Sequence, residues 1–496
     1  GVDIGNVQPL KANGGISSRG VSLHGAGFIV TPAEAAALQP AAGMLNSEFP
    51  PRSAIVIRAY RNGRDLTHRP RGVLVIDLFG LYAEQVRHEH PAIYQWLLDR
   101  IKPERDAKAN TKDGAGYARL WWLFGKPRQE MRHQLTSLPR YIATVETSKH
   151  RHFQFLDATV LPDNKLLAIA TADALHLGVL SSLAHVEWAL ATGSRLGVGN
   201  DPVYVKTRCF ETFPFPTDDT GLTPTLGGSI RSLAEQIDAH RKGRQAAHET
   251  VTLTGMYNVL DKLRRGEALT AKDKVMHEQA LVGVLGSLHD DLDAAVLQAY
   301  GWSDLGPVPW RDDAARAAWT EALLERLVAL NTRRAAEEAV GTIRWLRPEF
   351  QDPARRAAVQ SAASGGGAAT GTGADFPTAT TPTPAMQAKL ISSEVAGPAE
   401  RPSLDTNDDA DADIERADVA APPAPLAARM PWPAELKAQL RSVAELLAGS
   451  PVALSEVQIA ERYTGRGPWK KRLPDLLATL EALARARCDG GMWRGA

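Results

Sequence analysis

RYIATVETSKHRHFQFLDATVLPDNKLLAIA, residues 140–170, is the stretch whose reading decides the fold. Two runs bracket it, Arg140–Glu146 (RYIATVE) and Lys165–Ala170 (KLLAIA), and both read as strands because β-branched, aromatic and apolar residues dominate them. Pro162-Asp163-Asn164 supplies a turn: Pro presets its φ, and Asp and Asn bond back to the backbone. Working outward, Ser53–Arg58 (SAIVIR) and Gly72–Leu78 (GVLVIDL) are further strand candidates. Between them lie helical patterns. Thr31–Leu38 opens with Thr31 as N-cap, Pro32 at the first position and Glu34 at the third. Leu81–Lys102 reads as a helix broken at Pro91. Ala174–Thr192 has apolar residues at helical spacing and stops before Gly193. FETFPFP, residues 210–216, ends this part, because its prolines forbid a continuing element. Residues 1–216 are therefore expected to form a mixed α/β domain.

The remainder changes character. Residues 217–353 are rich in Ala, Leu, Arg and Glu, with helices expected at Ser229–Thr252, Asn258–Arg265, Lys272–Tyr300 and Asp312–Ala339, an all-α region. Residues 354–430 hold Gly/Ala/Thr/Pro repeats, an acidic run and APPAPLAA, a composition expected to be a disordered linker. Residues 431–496 recover helical patterns at Pro433–Gly449, Ser455–Thr464 and Pro468–Arg487, followed by GGMWRG. Three helices and a short β-like end suit a small winged-helix or helix-turn-helix module. Lys470, Lys471 and Arg472 open its third helix, where a recognition helix meets phosphates; the other reading is a helical bundle that binds protein. The fold class is thus α+β, followed by an all-α region, a linker and a small winged-helix-like domain.

The chain has 496 residues, 57 Lys+Arg against 57 Asp+Glu, and two Cys. The zero net charge hides a segregation. Residues 1–216 hold 25 basic and 19 acidic side chains, an excess of +6, and residues 393–418 hold 2 and 9, a deficit of −7. A basic domain is a candidate for phosphate contact. No run reaches the roughly 18 apolar residues of a membrane span. Two distant Cys, Cys209 and Cys488, exclude a disulfide scaffold and a Cys-rich zinc module, and suit a reducing, cytoplasmic (prokaryotic) setting. The start at Gly1 is read as the remainder of a longer protein.

Catalytic signatures are missing. The GAG and GVG triplets at 25–27, 114–116 and 197–199 lack the third glycine of a dinucleotide-binding turn. HEHPA, HETVT and HEQAL all fail the HExxH zinc spacing, and no metal site is expected. There is no Walker A motif and no GxSxG elbow. Asp157, Asp163 and Lys165 fit a loose nuclease pattern in which two carboxylates hold Mg²⁺ and Lys polarises water; a plain Pro-Asp-Asn turn is the competing reading. An amino-methyltransferase needs [Asp/Asn/Ser]-Pro-Pro-aromatic, to hold the target amine and stack on the flipped base. Here Phe49 precedes Pro50-Pro51, Ala421 precedes Pro422-Pro423, and Asp201-Pro202-Val203-Tyr204 lacks the second Pro.

Binding chemistry is better represented. Arg58, Arg61, Asn62 and Arg64 cluster in RAYRNGRDL, followed by Arg69 and Arg71. Closely spaced Arg around an Asn-Gly turn suit phosphate clamping or bidentate guanine reading; a basic turn with an Arg61–Asp65 pair is the alternative. Lys149, His150, Arg151 and His152 precede Phe153 and Phe155, with phosphate contact expected for the basic residues and core positions for the two Phe. The Gly-broken loop SRLGVGNDPVYVKTRCF offers Arg195, Asn200, Asp201, Tyr204, Lys206 and Arg208, and loops on rigid scaffolds commonly hold binding residues. Trp121 and Trp122 suit either the core or base stacking.

Residues 1–216 resemble the part of large single-chain DNA adenine methyltransferases that follows their catalytic domain, in the MmeI-like group that includes Type IIL restriction–modification and DISARM-like enzymes. The matching blocks are QPLKANGGISSRGVSLHGAGFIVTPAEA (8–35), RAYRNGRDLTHRPRGVLVIDLFGL (58–81), the 140–170 stretch and HLGVLSSLAHVEWALATGSRLGVGNDPVYVKTRCFETFPFP (176–216). LLERLVALNTRRAAEEAVGTIRWLRPEF (323–350) resembles the helical spacer that follows. The resemblance implies that 1–216 is a target-recognition domain for double-stranded DNA, and that the 193–209 loop takes part in base reading. It also implies an S-adenosylmethionine fold upstream of this chain and N6-methyladenine as product, with other restriction or defence-system subunits as further partners. The alternative is a non-catalytic specificity subunit serving a separate methyltransferase.

Overall fold

The computed structural model describes residues 2, 4–38, 56–111, 114–196, 201–357, 430–433, 436–448, 450, 453–464, 469, 472–482, 486–489 and 492–495. The features expected at 53–55, at Asn200, at Lys470 and Lys471 and over nearly all of the linker lie outside the described residues.

The strands of the first part are β1 (Ser17–Arg19), β2 (Ile29–Val30), β3 (Ile57–Arg61), β4 (Leu74–Ile76), β5 (Arg140–Val145), β6 (Gln154–Asp157), β7 (Leu161–Pro162), β8 (Leu166–Ile169), β9 (Ser194–Leu196) and β10 (Asp201–Val203). The 140–170 stretch supplies β5 to β8, and β5 is the centre of an antiparallel sheet ordered β1-β8-β5-β6. A second sheet is ordered β2-β4-β3-β7, with β3 and β7 parallel. The two sheets meet at Gly20, where a Cβ would stand 2.1 Å from the Asp163 carbonyl oxygen, so only glycine fits. β9 and β10 form a separate hairpin.

The helices of this part are α1 (Pro32–Leu38), α2 (Gly63–Thr67), α3 (Ala83–Glu89), α4 (Pro91–Arg100), α5 (Lys102–Ala107), α6 (Gly114–Arg119), α7 (Gln129–Leu135), α8 (Ala174–Ser181) and α9 (Leu183–Thr192). The expected break falls at His90–Pro91. The expected single helix 174–192 is two, bent by 61° at Ser182. The buried Asp293 carboxylate causes the break, because it accepts a hydrogen bond from the Leu183 N–H (2.7 Å) and so starts a new helix. Both halves are apolar because they sit in the core, and among the described residues no single helix is long and apolar enough to cross a membrane.

Next come α10 (Pro224–Ala247), α11 (Leu253–Arg265), α12 (Ala271–Ala280), α13 (Val282–Ala299), α14 (Asp313–Ala339) and α15 (Pro348–Gln351). Their starts follow from local sequence. Thr223, Thr252, Thr270 and Asp312 are N-caps whose side chains accept backbone N–H bonds. The helix expected over 272–300 is interrupted at Leu281, whose φ is +47°. Cations of α10 hold the end of α12: His240 bonds the Ala280 carbonyl (2.9 Å) and Arg244 the Gln279 carbonyl (2.6 Å). Sequence spacing carries no trace of such tertiary caps.

One hydrophobic core joins the two parts, running from Ile16 to Leu330 and crossing the boundary expected at 216/217. Polar hooks reinforce it. Asn331, buried on α14, accepts from Gln8 N and donates to the Gln8 and Thr212 carbonyls. Glu338 accepts from the backbone N–H groups of Lys11 and Ala12. Asn13 donates to the Phe210 and Phe213 carbonyls. The helical region thus clamps the start of the chain and the FPFP turn.

The end of the chain is a separate unit with its own core. β11 (Met430–Pro431) leads into α16 (Leu436–Ala448), β12 (Leu454–Ser455), α17 (Glu456–Glu461), β13 (Tyr463–Thr464), α18 (Leu473–Ala482), β14 (Ala486–Asp489) and β15 (Met492–Gly495). Three strands form a sheet ordered β12-β15-β14. Helix, strand, helix, helix and hairpin in this order make the expected winged helix. The third helix is shorter than the sequence suggested, because Ala486 and Arg487 belong to the hairpin.

Two stability predictions follow from these contacts. Asn331→Ala leaves three interior backbone groups without partners, and its cost is expected at about 2–3 kcal/mol, read as a fall in the urea midpoint; a change below about 0.5 kcal/mol contradicts the hook. Burial raises the Asp293 carboxyl to about 7, with the Leu183 bond opposing. The folded state therefore binds this proton more tightly than the unfolded state, and stability falls as pH rises from about 4 toward 7. Asp293→Asn keeps the acceptor without the charge. It is expected to exceed the native chain in stability at pH 8 and to match it at pH 4; the reverse order contradicts the assignment.

Candidate nucleic-acid interface

The end of the first sheet where β5 stops gathers cations from segments far apart in sequence. The register places Arg19 beside Leu167, and Leu167 beside Thr144. Glu146 follows β5 immediately, pairs with Arg19, and lies 3.7 Å from Lys165 Nζ. Beside it, Asp163 N–H donates to the Arg61 carbonyl (2.8 Å), so the end of β3 joins the same edge. α2 packs onto the tip of β5: a Cβ on Gly63 would touch the Val145 side chain at 3.1 Å. The β9–β10 hairpin adds on through Thr147 and Val203, and the Tyr204 N–H bonds the Glu146 carbonyl (2.7 Å).

Arg151 ties these segments together. Its guanidinium donates to Thr144 Oγ1 and to the carbonyls of Val145, Glu146 and Pro202. It lies 5.0 Å over the Tyr204 ring. Burial lowers its pKa to about 10, so it stays protonated at neutral pH. Tyr204 is buried, and its hydroxyl meets His185 Nε2 at 2.8 Å.

The fourteen candidate residues therefore separate. Arg58 is used inside: it bonds Asp77 (3.2 Å) and the Ala158 and Thr159 carbonyls. Burial would raise the Asp77 carboxyl, but Arg132 and Arg58 together hold it below the usual carboxylate range. Asn62 is the N-cap of α2, in a capping box with Asp65, so Asn-Gly opens a helix here and is not a hairpin turn. Asp65 is paired by Arg71, in place of the expected Arg61–Asp65 pair. Arg151 and Tyr204 are structural, for the reasons above. Lys206 bonds Glu211 at 2.9 Å. Lys149 is exposed and reaches Asn258 on α11 (2.7 Å). Arg64, Arg195 and Arg208 are exposed, while Arg61, Arg69 and Asp201 are partly exposed. Asn200 lies outside the described residues.

The sheet end brings Arg61, Arg64, Lys149 and Arg195 into one region, and adds Arg19, Lys165 and Arg128, which bonds the Gly20 carbonyl (3.0 Å). Sequence reasoning missed Arg19 and Arg128, because only strand register brings them here. Trp121 is buried against Tyr94, and Trp122 donates to the Leu81 carbonyl, so both serve the core. Phe153 and Phe155 are core residues.

The nuclease pattern does not assemble. Asp157 pairs with Arg140 at the start of β5, while Leu166 pairs with Val145 at its end. Asp157 and Lys165 are thus about 17 Å apart along the strand, at about 3.4 Å per residue. Asp163 instead accepts from the Tyr60 hydroxyl (2.7 Å) and from the Lys165 N–H. Among the described residues, no three His, Cys, Asp or Glu are grouped to hold a metal.

A methyl-donor site is not built from the described residues either. Gly25 and Gly27 press on Ile101 and Arg100, which fill the space above them. Gly114 starts α6 against the Lys108 carbonyl. These residues do not fit S-adenosylmethionine.

Residues 45–217 match the family model of the MmeI target recognition domain. The resemblance read from the sequence blocks is borne out over this stretch. A solved structure of the Type IIL restriction–modification enzyme MmeI in complex with DNA is similar at 18% identity, with a TM-score of 0.45. That similarity covers 66% of this chain and 36% of the other, so the chain spans about a third of that protein's length. No curated protein matches the chain.

The division between structural and exposed cations is measurable. Arg151→Met is expected to cost about 3 kcal/mol or more, as the loss of a charge-assisted network does, whereas Arg64→Ala is expected to stay within about 0.5 kcal/mol. Equal effects on the melting temperature contradict this sorting.

Proposed function

We propose that this chain supplies DNA target recognition to a restriction–modification enzyme, with residues 45–217 reading duplex sequence. The match to the MmeI target recognition domain carries this reading. The exposed cations at the end of the β5 sheet support it, since phosphate contact needs unburied Lys and Arg on one surface. The hairpin that bears Arg195 and Asp201 stands beside them, on a rigid base suited to entering a groove.

The reaction served is N6-methylation of adenine from S-adenosylmethionine. The methyl-donor fold and the Asn-Pro-Pro-aromatic loop come from outside these 496 residues, since the sequence has no such motif. This chain's residues would orient the duplex and set its register, so that the target base enters the other domain. A specificity subunit serving a separate methyltransferase rests on the same missing motif. A requirement for a second polypeptide in methylation marks that alternative.

Duplex binding by the chain is expected to fall steeply with salt. Arg64→Ala, Lys149→Ala and Arg195→Ala combined should lower the slope of log Kobs against log salt by up to about 3, at about 0.9 per phosphate contact. Binding that is absent, or insensitive to salt, contradicts the recognition role. Methylation mapping with the complete enzyme then tests the product: N6-methyladenine at one defined sequence is expected, and its absence contradicts the adenine assignment.

A further inference from the structure

The family match ends at residue 217 and leaves the C-terminal winged helix unassigned. Its wing is built in an unusual way. In the β14–β15 register, Arg487 stands directly opposite Arg494, and both are exposed. Directly opposite side chains have Cβ atoms about 4.5–5.5 Å apart, and like charges there destabilise a hairpin. A polyanion lying along the wing turns that repulsion into attraction. A third exposed cation, Arg472, immediately precedes α18. A helix N-terminus adds partial positive charge at that point.

The helix itself is equally informative. In a helix-turn-helix pair the second helix, here α18, enters the major groove. Its ten residues, LPDLLATLEA, include no Lys, Arg, Asn or Gln, the side chains that most often read base edges. Leu473, Leu476, Leu477 and Leu480 are buried in the unit's core. The unit therefore has cations for phosphates and lacks the donors for bases.

We propose that the C-terminal unit is a second duplex-DNA contact, which grips phosphates through Arg472, Arg487 and Arg494 without reading sequence. A sequence-blind grip in the same chain makes the second contact intramolecular and strengthens binding with no new specificity. This rests on the wing and α18 alone, and stands whether or not residues 45–217 read DNA.

The test uses the full chain and duplexes of mixed sequence. Arg472→Ala, Arg487→Ala and Arg494→Ala together should weaken binding and lower the salt slope by about two to three, at about 0.9 per lost phosphate contact. Replacement of the same three residues by Lys should keep the slope. Base preference should not change. The native cysteines provide an independent readout, because Cys488 is exposed on the wing and Cys209 is buried. A thiol-linked photocrosslinker at Cys488 should capture duplex DNA. Failure of the front-end reading would leave this capture and the tail variant's loss intact. Native affinity and slope in the Ala variant, with no capture from Cys488, overturn the proposal and leave the unit a protein-docking module.

Discussion

The guanidinium of Arg151 is the constraint on which the candidate interface depends. It satisfies carbonyls at the end of β5, in the turn after it and in β10, and these segments have no other common partner. No carboxylate bonds it; oriented carbonyl dipoles and the Tyr204 ring compensate its charge. A cation held this way is costly to bury and costlier to remove, since its loss orphans several acceptors at once. The loop bearing Lys149 and the hairpin bearing Arg195 are thus fixed relative to the sheet.

The same device recurs elsewhere. Arg105 is buried and donates to the carbonyls of Leu23, His24, Tyr117, Leu120 and Leu123, and burial lowers its pKa to about 10. Arg347 collects the Gln134 and Ala170 carbonyls across more than 170 residues of sequence. With Arg58 and Arg132 on Asp77, a good part of the front domain's basic excess is internal framework. A charge tally from sequence treats such residues as surface.

This explains what the sequence made legible. Elements with local causes were readable: the strands of 140–170, the Pro91 break and the winged-helix order of the last unit. Elements with tertiary causes were not. The breaks at Ser182 and Leu281 need Asp293, His240 and Arg244 from other helices. The shared core across 216/217 needs Asn331 and Glu338 to reach the start of the chain. For the site, the basic clusters were visible as clusters, but which members face outward was not. Arg58, Arg64 and Arg71 stand within fourteen positions of one another, yet one is inside, one is exposed and one is paired to Asp65. Arg19 joined the site only through strand register.

The central claim is that one end of the β5 sheet, together with the adjoining hairpin, is the surface that meets duplex DNA. Hydrogen exchange with and without duplex tests it most directly. The account predicts protection concentrated at residues 61–64, 146–151 and 194–203, with β6 and its Asp157 end unchanged. Protection confined to the β6 side, or absent from all three segments while DNA is bound, would contradict it.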